Sequence, residues 1–189
     1  MTAEQQNGEE QRRNRELSGY RNMLSRVLNA LERVEHRTAE ALEKALEAAK
    51  EKAVELGELT REEADRIGEY VRRDLRDLAH YLQREESDLA GWLRVDLGLI
   101  EAEILDFFSK AVDTSRIELA QWQQGPLPVI YRTGEITPPG TLRCLSCGEE
   151  LHFSRPAHIP PCPKCHGTEF VRVYDEERED ETTQGSGQD

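Results

Sequence analysis

Cys144-Leu-Ser-Cys147 and Cys162-Pro-Lys-Cys165 are two C-x2-C pairs with 14 residues between them, and they hold all 4 cysteines of the chain. Each such turn presents two sulfurs at adjacent corners of a tetrahedron. Two turns, each joined to a β-hairpin, therefore supply the four thiolates of a closed structural Zn2+ site. Gly148, directly after the first pair, and Gly167, two residues after the second, permit backbone amides to turn toward the sulfurs. Four thiolates also accept iron, which leaves Fe as an alternative to Zn. A shell filled by cysteines has no position for water, so the pattern predicts a structural rather than a catalytic metal. His152, His158 and His166 lie close enough in sequence to substitute as ligands, but strand, loop and knuckle roles fit them better.

Other chemistries fit less well. Cys162-Pro-Lys-Cys165-His166 has the spacing of covalent haem attachment, yet no export signal accompanies it and the first pair would have no role. A thioredoxin-like redox pair needs a βαβ setting, whereas short β-prone stretches and prolines surround these cysteines. Asp77-Leu-Ala-His80 resembles one carboxylate-x-x-His element of a di-iron bundle. Such sites use two of these elements and further carboxylates, so His80 reads as a rim residue. The sequence shows no catalytic Ser/His/Asp order, glycine-rich phosphate loop or H-E-x-x-H motif. The expectation is a protein that is not an enzyme, with no catalytic and no cofactor-binding residues beyond the metal ligands.

Only 37% of the 189 residues are hydrophobic and 33% are charged, so a core must come from long amphipathic segments. Leu17, Tyr20, Leu24, Val27, Leu31, Val34, Thr38, Ala41 and Ala45 recur at alternating steps of three and four. The seam continues through Ala49, Ala53 and Leu56, which predicts one long helix over Ser18–Leu56, ended by a left-handed Gly57. Thr60-Arg61-Glu62-Glu63 is a capping box that opens a second helix, with Ala64, Ile67, Val71, Leu75, Leu78 and Leu82 as its stripe. The short link forces an antiparallel hairpin. A third apolar segment carries Leu89, Trp92, Leu93, Leu97, Ile100, Ile104, Phe107, Phe108 and Ala111; it either starts at Ser87 or continues the second helix. Ser115-Arg116-Ile117-Glu118 is a further capping box. The seam predicts self-association through the first hairpin; the alternative is an intramolecular three-helix bundle in which the 89–111 segment folds back over the hairpin.

The resulting plan is a mainly α chain: a disordered stretch over 1–16, a helical hairpin or bundle over 17–124, and a Pro/Gly linker over 125–140. A small C-terminal β zinc ribbon over 141–174 and an acidic disordered tail over 175–189 complete it. Strands are expected at Thr141–Cys144, Glu150–Phe153 and Glu169–Val173. The formal net charge of −13 opposes general affinity for nucleic acid or an anionic membrane. Residues 131–174 hold five bases and four acids, short of a basic face. The N-terminal residues lack the apolar core of a signal peptide, and the 89–108 stretch is broken by charges, so a cytoplasmic location is expected.

Tyr20-Arg-Asn-Met-Leu-Ser-Arg-Val27, Glu55-Leu-Gly-Glu-Leu-Thr-Arg-Glu-Glu-Ala64 and the stretch from Gly134-Glu-Ile-Thr to Cys162-Pro-Lys-Cys-His-Gly167-Thr together carry a family resemblance. They resemble the YbeL-like group of bacterial zinc ribbon-containing proteins of unknown function. The resemblance spans about residues 20–173 and implies a ribbon at Cys144, Cys147, Cys162 and Cys165 behind a helical region. It implies no activity. The expected function is a zinc-binding interaction or scaffold protein with an unidentified protein partner. The alternative is a zinc-ribbon protein attached to nucleic acid or to the transcription or translation machinery.

Overall fold

The Leu17–Leu56 seam is not one helix. In the computed structural model, which describes residues 3–83, 89–94, 100, 102, 105, 106, 108, 109 and 128–174, helix α1 spans Ala3–Leu31 and α2 spans Ala39–Glu55. Thr38, a seam position by spacing, is the N-cap of α2: its backbone is extended and its hydroxyl accepts from Ala41 N at 3.2 Å. A threonine side chain competes for backbone N–H groups and so favours caps over helix interiors. Glu40 in the first turn adds a favourable charge at the dipole's positive end. The break lets the two halves of the seam meet. Tyr20, Met23, Leu24, Val27, Leu28 and Leu31 share one buried core with Leu42, Ala45, Leu46, Ala49 and Ala53.

The N-terminal stretch expected to be disordered is helical from Ala3 onward. Its charges have partners on the third helix, α3 (Arg61–Tyr81): Arg15 Nη2 is 2.6 Å from Glu63 Oε1, and Arg66 Nη2 is 2.8 Å from Glu16 Oε1. The capping box is present in both directions, with Glu63 N donating to Thr60 Oγ1 at 3.2 Å and Thr60 N to Glu63 Oε2 at 2.9 Å. Gly57 is left-handed, with φ +67°. Lys50 pairs with Asp65 and Glu43 with Arg72, so α2 and α3 run antiparallel. Packing of α1, α2 and α3 on one another makes a three-helix bundle. Its third member comes from the division of the seam into α1 and α2, not from the 89–111 segment.

Helix α3 stops at Tyr81 with Leu82 as its cap, and α4 (Leu89–Leu93) is a separate element. Trp92, Leu93, Ile100 and Phe108 are buried against the bundle, and the Trp92 and Phe108 rings lie 4.9 Å apart. Ser87, Leu97, Ile104, Phe107, Ala111, the Ser115–Glu118 box, residues 125–127 and the 175–189 tail lie outside the described residues.

Six short strands follow: β1 (Ile130–Arg132), β2 (Ile136–Thr137), β3 (Gly140–Cys144), β4 (Glu150–Phe153), β5 (Ala157–His158) and β6 (Glu169–Arg172). They form an antiparallel sheet in the order β1-β6-β3-β4 and a two-stranded β2-β5 pair. The expected strands appear as β3, β4 and β6. The expected 125–140 linker is corrected: β1 and β2 lie within it, because Tyr131 pairs with Phe170, Ile136 pairs with His158, and both Tyr131 and Ile136 are fully buried. Pro138 and Pro139 sit between strands, where no ladder N–H is needed. Val129, Tyr131, Leu142, Leu151, Phe153, Ile159 and Phe170 pack with Cys144 and Cys162 as the ribbon core. No helix among the described residues is long and apolar enough to cross a membrane.

Candidate metal centre

Strand β3 delivers Cys144 to the end of the sheet, where the chain turns. Gly148 N donates to Cys144 O at 2.9 Å, closing the first knuckle, and Gly148 is left-handed at φ +76°. The second knuckle repeats the arrangement: His166 N donates to Cys162 O at 2.9 Å, and His166 takes the left-handed conformation at φ +59°. Two turns of the same form thus face each other. Gly167 N points at Cys165 Sγ at 3.4 Å, as its position suggested, whereas the Gly148 amide serves the turn instead of a sulfur.

The four Sγ atoms lie within 4.8 Å of one another. Cys144 is 3.6 Å from Cys165 and Cys147 is 3.6 Å from Cys162. These are non-bonded separations, and all four cysteines are free thiols. A tetrahedron with metal–sulfur bonds of about 2.3 Å has edges of about 3.8 Å, so the cluster fits a single ion. The charge chemistry fits too. Desolvation acts to raise the Cys144 thiol, but the N–H groups of Ser146 and Cys147 outweigh it and bring it down to about 7. The Gly167 N–H favours the Cys165 thiolate, yet the neighbouring sulfurs and burial push that thiol up to about 12. Four thiolates in one shell ionise together only beside a cation. Cys144, Cys147, Cys162 and Cys165 would hold that ion and leave it no open position.

The histidines near the cysteines do other work. His152 Nδ1 meets Thr141 Oγ1 at 2.8 Å across β3 and β4. His158 Nδ1 donates to Gly134 O at 3.0 Å, and its Nε2 faces Glu16 of α1 at 3.4 Å.

A second polar cluster, absent from the sequence reading, joins the ribbon to the bundle. Asp77 on α3 is 2% exposed. Its Oδ2 accepts from Tyr131 at 3.1 Å and Trp92 Nε1 at 3.1 Å and forms an ion pair with Arg172 Nε at 3.0 Å, and its Oδ1 accepts from Tyr174 at 2.8 Å. Arg172 also donates to Pro139 O and Thr137 Oγ1 and lies 4.3 Å over the Trp92 ring. One turn earlier, buried Asp74 accepts from Tyr20 at 2.7 Å and from Arg73 Nε at 3.0 Å. Arg73 in turn reaches Glu135 and Ile136 O of the ribbon. Asp77 therefore has a structural role, and the di-iron comparison with His80 gains no second element.

No curated protein and no solved structure matches this chain. The profile of a family described as a zinc-ribbon containing domain matches residues 29–174, covering part of α1, the rest of the helical bundle and the whole ribbon. On that match, and on the four-sulfur cluster it encloses, the chain belongs to the zinc-ribbon containing domain family.

Proposed function

We propose that this chain is a zinc-binding interaction protein without catalytic activity, in which a structural four-cysteine zinc site stiffens a ribbon that presents its metal end to a protein partner. The observation that carries this reading is the pairing of a closed sulfur shell with an outward-facing knuckle. Leu145, inside the first C-x2-C, is 52% exposed, although apolar side chains of its size are usually covered. Strands β2 and β5 of the ribbon lie against α3 and α1. Zinc is preferred over iron because the matched family is described as a zinc-ribbon containing domain. Ligand thiols suit a reducing cytoplasm.

The partner is better taken as a different protein than as a second copy. Tyr20, Leu24, Val27, Leu31, Ala45, Ala49 and Ala53 of the seam are buried within the chain, and Val34, Leu56 and Leu145 are the exposed large apolar side chains among the described residues. A nucleic-acid partner is disfavoured by the fate of the ribbon's bases. Arg172 is buried, Arg132 pairs with Glu169 at 3.3 Å, and Lys164 pairs with Glu149 at 3.6 Å.

The test combines metal analysis with partner capture from cells. One zinc per chain and a partner lost on Leu145→Glu with the metal retained support the reading. Capture of the same proteins by wild type and variant rejects the knuckle as the contact. A dimeric mass in light scattering would restore self-association, and retention on a nucleic-acid column at physiological salt would restore the alternative.

A further inference from the structure

Asp77 is a buried carboxylate held by three hydrogen-bond donors and by the Arg172 guanidinium, and of these four partners Tyr131, Arg172 and Tyr174 belong to the ribbon. A buried ion pair contributes little net stability while intact, but removing one side leaves a charge with neither water nor partner. The arrangement therefore acts as a lock. Its donors are not independent of the metal site. Phe170 pairs with Cys144 across β6 and β3 and with Tyr131 across β6 and β1, and Arg172 lies two residues further along β6 on the same buried face. A strand that holds a sulfur ligand is thus one register step from the strands that hold Asp77.

We propose that this lock couples metal occupancy of the ribbon to the ribbon's docking on the helical bundle. Loss of the metal loosens β3 and β6 and withdraws Tyr131, Arg172 and Tyr174 from Asp77. The second half of α3 is left with Asp77 stripped of its cation and of two of its three donors, and loosens in turn. By linkage the effect is reciprocal, so weakening the lock on α3 weakens metal retention in the ribbon. The inference rests on the zinc reading above.

The experiment uses the full chain. Metal analysis comes first, and a chain without a bound metal ends the zinc reading before coupling is at issue. Amide hydrogen exchange is then compared between the metal-loaded protein and protein stripped by a chelator. Coupling predicts exchange at least about tenfold faster in residues 71–81 as well as in residues 130–173. Faster exchange confined to the ribbon, with 71–81 still protected, overturns the proposal.

The reverse direction is read with a chelating dye. Asp77→Asn should release zinc at least about tenfold faster than wild type. If that variant does not fold, Tyr174→Phe removes one donor and keeps the ring stacked on Tyr81 at 4.8 Å. It should release zinc about fivefold faster. Release from Tyr174→Phe at the wild-type rate also overturns the proposal.

Discussion

The hydroxyl of Tyr20 lies 2.7 Å from Oδ2 of Asp74, 54 residues away in sequence, and water reaches neither side chain. Burial pushes the Asp74 carboxyl up to about 6, with Arg73 and the Tyr20 hydroxyl acting in the opposite direction. Tyr20→Phe deletes the donor and keeps the ring. Because the abandoned acceptor is charged and buried, the loss should be about 1.5–3 kcal/mol. Denaturant titration with an unchanged slope measures it, and a loss below about 0.5 kcal/mol would show that the hydroxyl is dispensable.

Alkaline pH should act on the same clusters. Tyr20, Tyr131 and Tyr174 are all raised above the usual phenol range, first by burial and then by the Asp74 or Asp77 carboxylate. The folded state holds these protons more tightly than the unfolded state. The stability they confer is therefore complete below about pH 10 and is lost as pH rises above it. Ultraviolet titration of phenolate, run beside circular dichroism, should show these tyrosines ionising together with unfolding. Their ionisation in a still-helical protein would contradict the burial argument.

Gly140 opens β3 at φ +142°, a conformation that L side chains rarely adopt, and a Cβ there would overlap Arg172 Nη1. Gly140→Ala should cost more than about 2 kcal/mol through backbone strain and displacement of the arginine. Thermal unfolding checks this. The comparison Gly134→Ala, left-handed but with nothing within 4 Å of the added carbon, isolates the backbone part. Equal losses in the two variants would remove Arg172 from the explanation.

At the metal centre, Cys162→Ser should abolish stoichiometric metal and make residues 141–173 protease-sensitive. The ribbon core is a handful of side chains and depends on the ion for its folding energy. Most of the helical dichroism should remain, since α1 and α2 are packed by their own seam. Gly167→Ala is the milder version. Its Cβ would stand 3.0 Å from Cys144 Sγ and 3.2 Å from Cys165 Sγ, atoms a bound metal would fix in place, so metal affinity should fall without loss of any ligand. Wild-type affinity in that variant would show that the knuckle can relax around the added carbon.

The metal ligands and the Thr60–Glu63 capping box are legible in the sequence because their chemistry is written in short spacing. Two sulfurs three positions apart define half a tetrahedron, and Thr60 with Glu63 defines a helix start. Thr38 misleads because a three-and-four periodicity also admits a threonine that is in fact a cap. The buried polar cluster around Asp74, Asp77 and Arg172 stays hidden when only apolar residues are counted along each stripe. Asp74 falls in the row Ile67, Val71, Asp74, Leu78, and Arg172 alternates with Phe170 and Tyr174 on one face of β6 and its extension. A charge in an apolar row is the available signal. Its partner cannot be named from the sequence, because the two ends of the contact are in different elements. Arg15 and Glu16, in a stretch whose charge reads as solvated, are fixed for the same reason by residues on α3.

The distance along the chain between Asp77 and its last donor has a consequence for synthesis. Tyr174 lies 97 residues after Asp77, and a ribosome adding about 5–20 residues per second needs about 5–20 s to cover that interval. During that time α3 has emerged without the full set of ribbon partners of Asp77. β1 must likewise wait for β6, the strand made last, before the sheet can close. The nascent protein therefore passes through a stage in which α1 to α3 have been made and Asp77 is still in water, and the arrival of β6 and Tyr174 ends that stage.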